Sequence, residues 1–545
     1  MGFMQKKDVG KDSKEASGLG HLANLPNNTN PKWWLDPGLR KLHFLLVALT
    51  LCSVNSGFDG SLINNLQSLD TWNADLDNPD ANMLGVIGAL QTVGAFAFCP
   101  LAPLIADRLG RRWAILVGGT VMFTGGLIQT FSNSPAQYIV GRFIVGGGNV
   151  IGLVGGTSLV NELAHPRTRS YIIGYFNVIW YIGAIIASWL CYGLTIHLPG
   201  SSWQWRLPTL FISIFAAAMV TLFWFVPESP RWLISKDKDD EAHRILADLH
   251  ANGFLEDQLV VGEMLEIKHT LRAQQASISE AKTWRECFGS PGDRWRMFIC
   301  IGLAICNNWT GQSIVSYYNT QILKQAGVTK TLPQLGINGG LSIFDFFCAL
   351  LGAWLSGQVG RRPLFMASFI GMTSAHAVVT GLSARYAQTQ TAGYGYAVIA
   401  FIWVESGFYN IALNPLIYAY TSEVLSFSTR AKGMALFLFT GDWNAIISRY
   451  CNPLGLADLG WKYYMVFLAF YVLETAFIYF YFPETKGRTL EEIAEIFDGI
   501  QVADQVVAEM GKARELSDEP TDKKGRIVIE GQEMPSKAED ISGGK

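Results

Sequence analysis

Seven aspartate, glutamate or arginine residues lie inside long apolar stretches of this 545-residue chain: Asp59, Arg142, Asp345, Glu405, Asp442, Arg449 and Glu474. A charge near the centre of a membrane-like helix is costly, so such residues are functional candidates by default. Asp59 stands in LTLCSVNSGFDGSLINN (49–65). A carboxylate there can carry a proton or pair with a cation. Asp442 and Arg449 are seven residues apart in TGDWNAIISRY (440–450). On a helix that is two turns, which puts them on one face with about 10 Å of rise between them. They can therefore offset one another as packing charges. The stretch NNWTGQSIVSYY (307–318) adds amides, hydroxyls and aromatics. Those groups suit a ligand with many hydroxyls and an apolar face.

Other chemistries find no support. There is no phosphate-binding P-loop, which argues against ATP as an energy source. The eight cysteines lack zinc-type spacing and mostly sit in apolar stretches, where they read as small packing residues. No nucleophile stands beside a base in an arrangement that would mark an enzyme, and no cofactor is implied.

The elements that position these residues follow from hydropathy. Half the residues are hydrophobic and only 16% are charged, against about 25% charged in ordinary soluble domains. A membrane helix needs about 20 mostly apolar residues. Twelve stretches qualify, near 43–65, 83–105, 113–132, 136–161, 171–194, 207–226, 297–322, 334–356, 364–384, 395–420, 431–452 and 463–482. Lipid offers the backbone no hydrogen-bond partners, so these must be helices. The loops DRLGRR (107–112), HPRTR (165–169), GRR (360–362) and TRAK (429–432) are basic, whereas DTWNADLDNPD (70–80) is acidic. By the positive-inside rule both termini and the long middle segment face the cytoplasm.

The chain also repeats itself. Gly110-Arg111-Arg112 recurs as Gly360-Arg361-Arg362, an offset of 250. Glu162 and Arg169 recur as Glu423 and Arg430 at an offset of 261, with the same separation of seven. PES (227–229) recurs as PET (483–485) at 256. Three landmarks in one order define two six-helix halves, a plan that places a binding site near the midplane between repeats. The expected organisation is an N-terminal tail (1–41), a first bundle (42–227), a linker with short helices near 235–253 and 261–277 (228–296), a second bundle (297–482), and a C-terminal segment ending in a polar, disordered tail (483–545).

PESPRW (227–232), PETKGRTLEEI (483–493), DRLGRR (107–112) and a Gly-Arg step followed by a glycine-rich run (Gly141 to Gly148) together resemble the sugar porters of the major facilitator superfamily, over about residues 40–500. DPGLRKL (36–42), NELAHPRTR (161–169) and SYY (316–318) are most similar to the fungal lactose permease, cellodextrin and hexose transporter branch. The resemblance implies an all-α polytopic membrane protein of twelve helices in two pseudo-symmetric bundles. It implies proton-coupled carbohydrate import across the plasma membrane by a monomer. The cargo would be a disaccharide such as lactose or cellobiose, or a hexose or pentose. Its partners would be the sugar, protons and the lipid bilayer, without nucleic acid. Two alternatives stay open: a transporter-like nutrient sensor, and a carrier of a non-sugar polyol or metabolite.

The same resemblance assigns residues. Asp59 and Arg142 would form the proton-coupling pair. A buried carboxylate holds its proton tightly and a nearby guanidinium loosens it, so a contact that changes with conformation can load and unload a proton. Asp107, Arg111, Arg112, Glu162, Arg169, Glu228 and Arg231, with Arg361, Arg362, Glu423, Arg430 and Glu484 in the second half, would form ion pairs between the halves that hold the outward-facing state. The substrate would meet Asn177, Asn307, Asn308, Gln312, Ser313, Tyr317, Tyr318, Asp345, Tyr418 and Asp442. Several depart from the family pattern. Pro103 stands where a glycine is usual, and Gly357 where the second loop usually has an acid. Asn307 and Asn308 replace glutamines, Asn177 replaces another, Tyr418 replaces a tryptophan, and Asp345 and Asp442 replace asparagines. The extra acids argue against an anionic substrate, although Arg449 can offset them.

Overall fold

A computed structural model describes residues 27–30, 32–280, 284–426, 429–486, 493, 496 and 497. The expected disordered tail lies outside the described residues. Twelve helical spans run back and forth: Pro37–Leu66, Ala81–Phe98 extended by Leu101–Arg108, Arg111–Thr130, Pro135–Leu163, Tyr175–His197, Trp203–Leu222, Pro291–Gln325, Thr331–Gln358, Arg361–Thr389, Ala392–Val424, Arg430–Leu459 and Tyr463–Tyr481. The last two form one apolar stretch broken by a single 3-10 turn at Gly460–Lys462. The chain is a multi-pass membrane protein built as two six-helix bundles. The face from which the first span starts and at which the twelfth ends is termed the terminal face below.

Local sequence sets many of the helix starts. Asp36-Pro37, Ser134-Pro135, Ser229-Pro230 and Ser290-Pro291 each place a side-chain acceptor at the cap and proline at the first helical position. The cap satisfies an orphan N–H, and proline has none to satisfy. Packing between spans then relies on small residues that let backbones approach. Gly146 of the fourth span lies against the Gln91 carbonyl of the second, so close that a Cβ would overlap it. That approach brings the second and fourth spans within side-chain reach of one another.

Helix breaks occur in the seventh span. The helix stops at Asn308 and restarts at Gln312. A second departure follows at Tyr318, whose backbone is non-helical. The freed Gly311 N–H donates to the Tyr471 hydroxyl of the twelfth span at 2.8 Å. Discontinuous helices of this kind are tolerated where the backbone is buried in protein or lines a cavity.

The linker forms helices Asp239–His250 and Gln258–Glu280. It docks on the first bundle through Lys41–Asp248, through the Gly38 N–H donating to Asn252, and through His250. His250 is buried, pairs with Glu263 at 2.7 Å, and reaches the Leu163 carbonyl at the end of the fourth span at 3.1 Å. Burial works against its charged form, but the Glu263 carboxylate and the Leu163 carbonyl outweigh it and raise its pKa above the ordinary histidine value. Its neighbour His165, whose ring centroid lies 5.0 Å away, is held down to about 3 by burial and by His250 itself.

A raised folded-state pKa stabilises below the unfolded value, about 6.5, and that contribution fades as pH rises through the folded value. His250→Gln is therefore expected to lower the melting temperature of the purified protein most at pH 6, with the gap to wild type closing above about pH 6.5. A gap that does not change with pH would contradict the charged His250–Glu263 clamp.

Candidate functional site

Between the bundles lies a cavity of about 830 Å³. Its wall runs from Asn338 and Arg449 near the middle of the protein to Asn161, Asn177, Tyr418 and Met434 near the terminal-face ends of their helices. Tyr418 is 49% exposed, so the cavity opens toward that face. On the far side the bundles are closed by polar contacts. Gln67 donates to the Tyr317 carbonyl at 2.9 Å. Asn64 accepts the Thr320 N–H at 3.1 Å, and Tyr450 donates to Asn82 at 2.7 Å. Asn338 donates to Asn65 at 3.2 Å.

Of the residues expected to meet substrate, Asn177, Asn307, Asn308, Gln312, Ser313, Tyr317, Asp345 and Tyr418 line the cavity. Two do not. Tyr318 is buried, and its hydroxyl donates to the Arg449 carbonyl at 2.6 Å. Asp442 sits on the eleventh span outside the cavity wall. Asn307 accepts from Tyr409 at 3.0 Å, and Asn308 caps the Gly441 carbonyl at 3.1 Å. Asp345 accepts from Ser406 at 2.6 Å. The wall also holds Arg449, whose charge the sequence marked, and Asn65 and Asn338, which no motif singled out. Polar residues inside apolar runs are the signal that could have found the two asparagines.

Beside the cavity, the first, second and fourth spans bury a closed trio. Arg142 donates to Asp59 at 2.9 Å and to the Gln91 amide oxygen at 2.8 Å, while the Gln91 amide nitrogen donates to the other Asp59 oxygen. Asp59 is 0% and Arg142 1% exposed. Both carboxylate oxygens accept hydrogen bonds, the pattern of an ionised acid. Gln91 is a neutral amide, with no charge to single it out in an apolar helix. Ser56 and Ser61, on the same helix as Asp59, face the cavity.

At the terminal face the repeat is realised atom by atom. Arg111 pairs with Glu162 through two hydrogen bonds of 3.1 and 3.3 Å, and Arg361 pairs with Glu423 through two of 3.2 and 2.8 Å. Glu228 accepts the backbone N–H groups of Arg111 at 3.0 Å and Arg112 at 3.2 Å. Glu484 accepts those of Arg361 at 2.9 Å and Arg362 at 3.0 Å. Arg169 and Arg430 donate to the Ala164 and Leu425 carbonyls five residues earlier. Arg112 lies over the Phe223 ring, and Asp107 bridges to Arg111 at 3.3 Å. Arg231 lies in the first turn of Pro230–Ser235. Each of these Arg–Glu pairs stays within one half; none of them spans the two bundles in this conformation.

Glu405 and Glu474 occupy the second bundle. Glu405 is paired with His376 at 3.0 Å and accepts from Tyr471 at 2.6 Å. Glu474 is buried, and both its carboxylate oxygens lack a hydrogen-bond partner among the described residues.

Comparison with known proteins agrees with this geometry. The profile of the family "Sugar (and other) transporter" matches residues 45–497. The chain belongs to that family. The transporter is 29% identical to the MFS-type transporter oryC of Aspergillus oryzae over 434 residues, covering 78% of this chain and 79% of that protein. It is 27% identical to the probable quinate permease of Aspergillus flavus over 485 residues, covering 84% and 88% respectively. Its fold matches the inward open conformation of the xylose transporter XylE from E. coli with a TM-score of 0.69 at 20% identity, over 84% of this chain and 100% of that one. The transporter is thus a major facilitator superfamily sugar porter and not an enzyme.

Gly110 and Gly360 show where the two halves of the transporter differ. A side chain at either would run into the Glu228 or Glu484 carboxylate. Gly110 also has φ 118° and ψ 161°, a region that is almost glycine-only, whereas Gly360 has φ −63°. Such backbone strain costs about 1–3 kcal/mol. Gly110→Ala is expected to lower the melting temperature more than Gly360→Ala, by that extra strain. Equal losses would mean that the carboxylate contact alone makes both positions glycine.

Proposed function

We propose that the protein imports a polyhydroxylated small molecule together with a proton across the plasma membrane, by alternating access. The observation that carries this reading is the buried Asp59–Arg142–Gln91 trio beside the cavity. A permanently ionised acid locked on arginine would only weld helices together. Here the acid and its partners sit on three separate spans, so movement of the first against the second and fourth changes the contact. When the Arg142 contact loosens, Asp59 takes up a proton; when it re-forms, the proton leaves. The conformation described above, with Asp59 engaged and the cavity open to the terminal face, suits the stage after release. With the terminal face in the cytosol, as the basic loops indicate, that stage is inward-facing.

The Arg–Glu pairs of the terminal face fit the same cycle. Ion pairs at an aqueous surface are individually weak. They can exchange partners across the halves when the mouth closes, and return to their own half when it opens.

The cavity wall supplies amides for hydroxyls and tyrosines for an apolar ring face, as expected for a carbohydrate. The family also includes relatives named for quinate, which supports a second reading in which the cargo is a non-sugar polyol. A panel of labelled monosaccharides, disaccharides, neutral polyols and quinate in transporter-null yeast, with and without an uncoupler, separates these. Asp59→Asn is expected to abolish accumulation while leaving counterflow exchange intact. Unchanged, uncoupler-sensitive accumulation in that variant would remove Asp59 from the proton path. A wild-type protein that binds a ligand but exchanges nothing would point to a sensor.

A further inference from the structure

Arg449 has no role in the mechanism just outlined, yet it projects from the eleventh span into the cavity wall. Its guanidinium donates to two neutral hydroxyls, those of Thr92 and Tyr317, and lies over the Tyr317 ring at 4.0 Å from the centroid. Among the described residues no carboxylate comes within ion-pair distance of it. The acids that could compensate are otherwise placed. Asp59 is engaged by Arg142 and Gln91. Asp345, the other charged residue type on the wall, accepts from Ser406. Asp442, two turns away on the same helix, makes no ion pair with it. Guanidinium offers five N–H donors in a planar fork, and only two contacts are occupied here. Asp59 and Asp442 act on Arg449 only by longer-range Coulomb attraction, and a cation with no ion-pair partner inside a membrane bundle is expensive to keep. A planar, two-oxygen anion is what its fork fits best.

The same cavity wall carries groups that bind hydroxyls rather than charge: Asn65, Gln312, Asn338 and Ser448. One cation amid neutral polar groups matches one negative charge on a hydroxylated body. The Asp345 carboxylate on the same wall disfavours a dianion.

We infer that Arg449 anchors a carboxylate, so that the cargo is a polyhydroxylated monocarboxylate such as a sugar acid, bound through its acid group at the closed end of the cavity and through its hydroxyls along the wall. This rests on the reading of the cavity as a transport site. It also links binding to movement. Thr92 belongs to the first bundle and Arg449 to the second, so a carboxylate that draws the guanidinium away from Thr92 removes a contact between the bundles.

The test compares matched pairs of labelled probes, galacturonate against galactose and gluconate against glucitol, in cells expressing tagged protein whose surface level is measured. Wild type is expected to take up the acids in preference to their neutral partners, and unlabelled acid is expected to compete for uptake. In Arg449→Gln the ratio of acid to neutral uptake is expected to fall about ten- to hundredfold, the range of a charge-assisted hydrogen bond to a carboxylate. Arg449→Lys is expected to keep part of that preference. Should the glutamine variant fail to reach the membrane, the competition measured on wild type decides alone. Uptake of galactose or glucitol without uptake of, or competition by, either acid overturns the inference and leaves the transport reading standing. Failure of every probe, with protein present at the surface, overturns both.

Discussion

A lipid interior has no water to hydrogen-bond a charge or a peptide group, and every part of this molecule answers to that constraint. Backbone groups are satisfied by twelve helices. Where the seventh helix breaks, the freed Gly311 N–H finds the Tyr471 hydroxyl. Ionisable side chains obey the same rule through closed networks. Asp59, Arg142 and Gln91 satisfy one another across three helices, and Glu405, His376 and Tyr471 do so in the other bundle. Against that background the exceptions stand out. Among the described residues, Arg449 meets only neutral hydroxyls, and Glu474 keeps two oxygens without hydrogen-bond partners.

The two bundles use one solution twice at the terminal face. In each, an Arg-Arg step opens the third helix of the bundle, the first arginine grips the glutamate that ends the fourth, and a glutamate following the sixth collects backbone N–H groups at the helix start. The helix dipole favours an anion at that position. The copies are not identical. Asp107 adds a bridge to Arg111 in the first, and Gly357 offers none in the second. The linker adds to the imbalance, because it docks on the first bundle through Asn252 and His250.

Much of this was legible in the sequence, for physical reasons. A span must be about 20 residues and apolar, so twelve helices could be counted without coordinates. Charged landmarks at repeated offsets gave the two halves, and the glutamates and arginines so marked do meet. What stayed hidden depends on three-dimensional register. The sequence reading named acids and bases but not Gln91, because an amide in a helix costs too little to draw notice. It placed Tyr318 and Asp442 at the substrate, whereas the seventh-helix kink turns Tyr318 onto the Arg449 backbone and the eleventh helix carries Asp442 outside the wall. It expected these arginines and glutamates to pair between the halves, whereas in this conformation the Arg–Glu pairs close within each half, because the same residues can pair differently as the bundles rock.

In the proposed cycle, the trio around Asp59 also fixes how membrane voltage enters. Ionised Asp59 and Arg142 together carry no net charge, so the pair adds no electrical work to the return of the empty carrier. A proton on Asp59 leaves Arg142 uncompensated and gives the loaded carrier one positive charge. With a neutral cargo that step feels the voltage, about 2.3 kcal/mol per charge for each 100 mV. With a carboxylate cargo the charge added on loading cancels, and the pH difference alone sets how far the cargo accumulates. Whether the transporter is driven by voltage thus turns on the charge its cavity accepts.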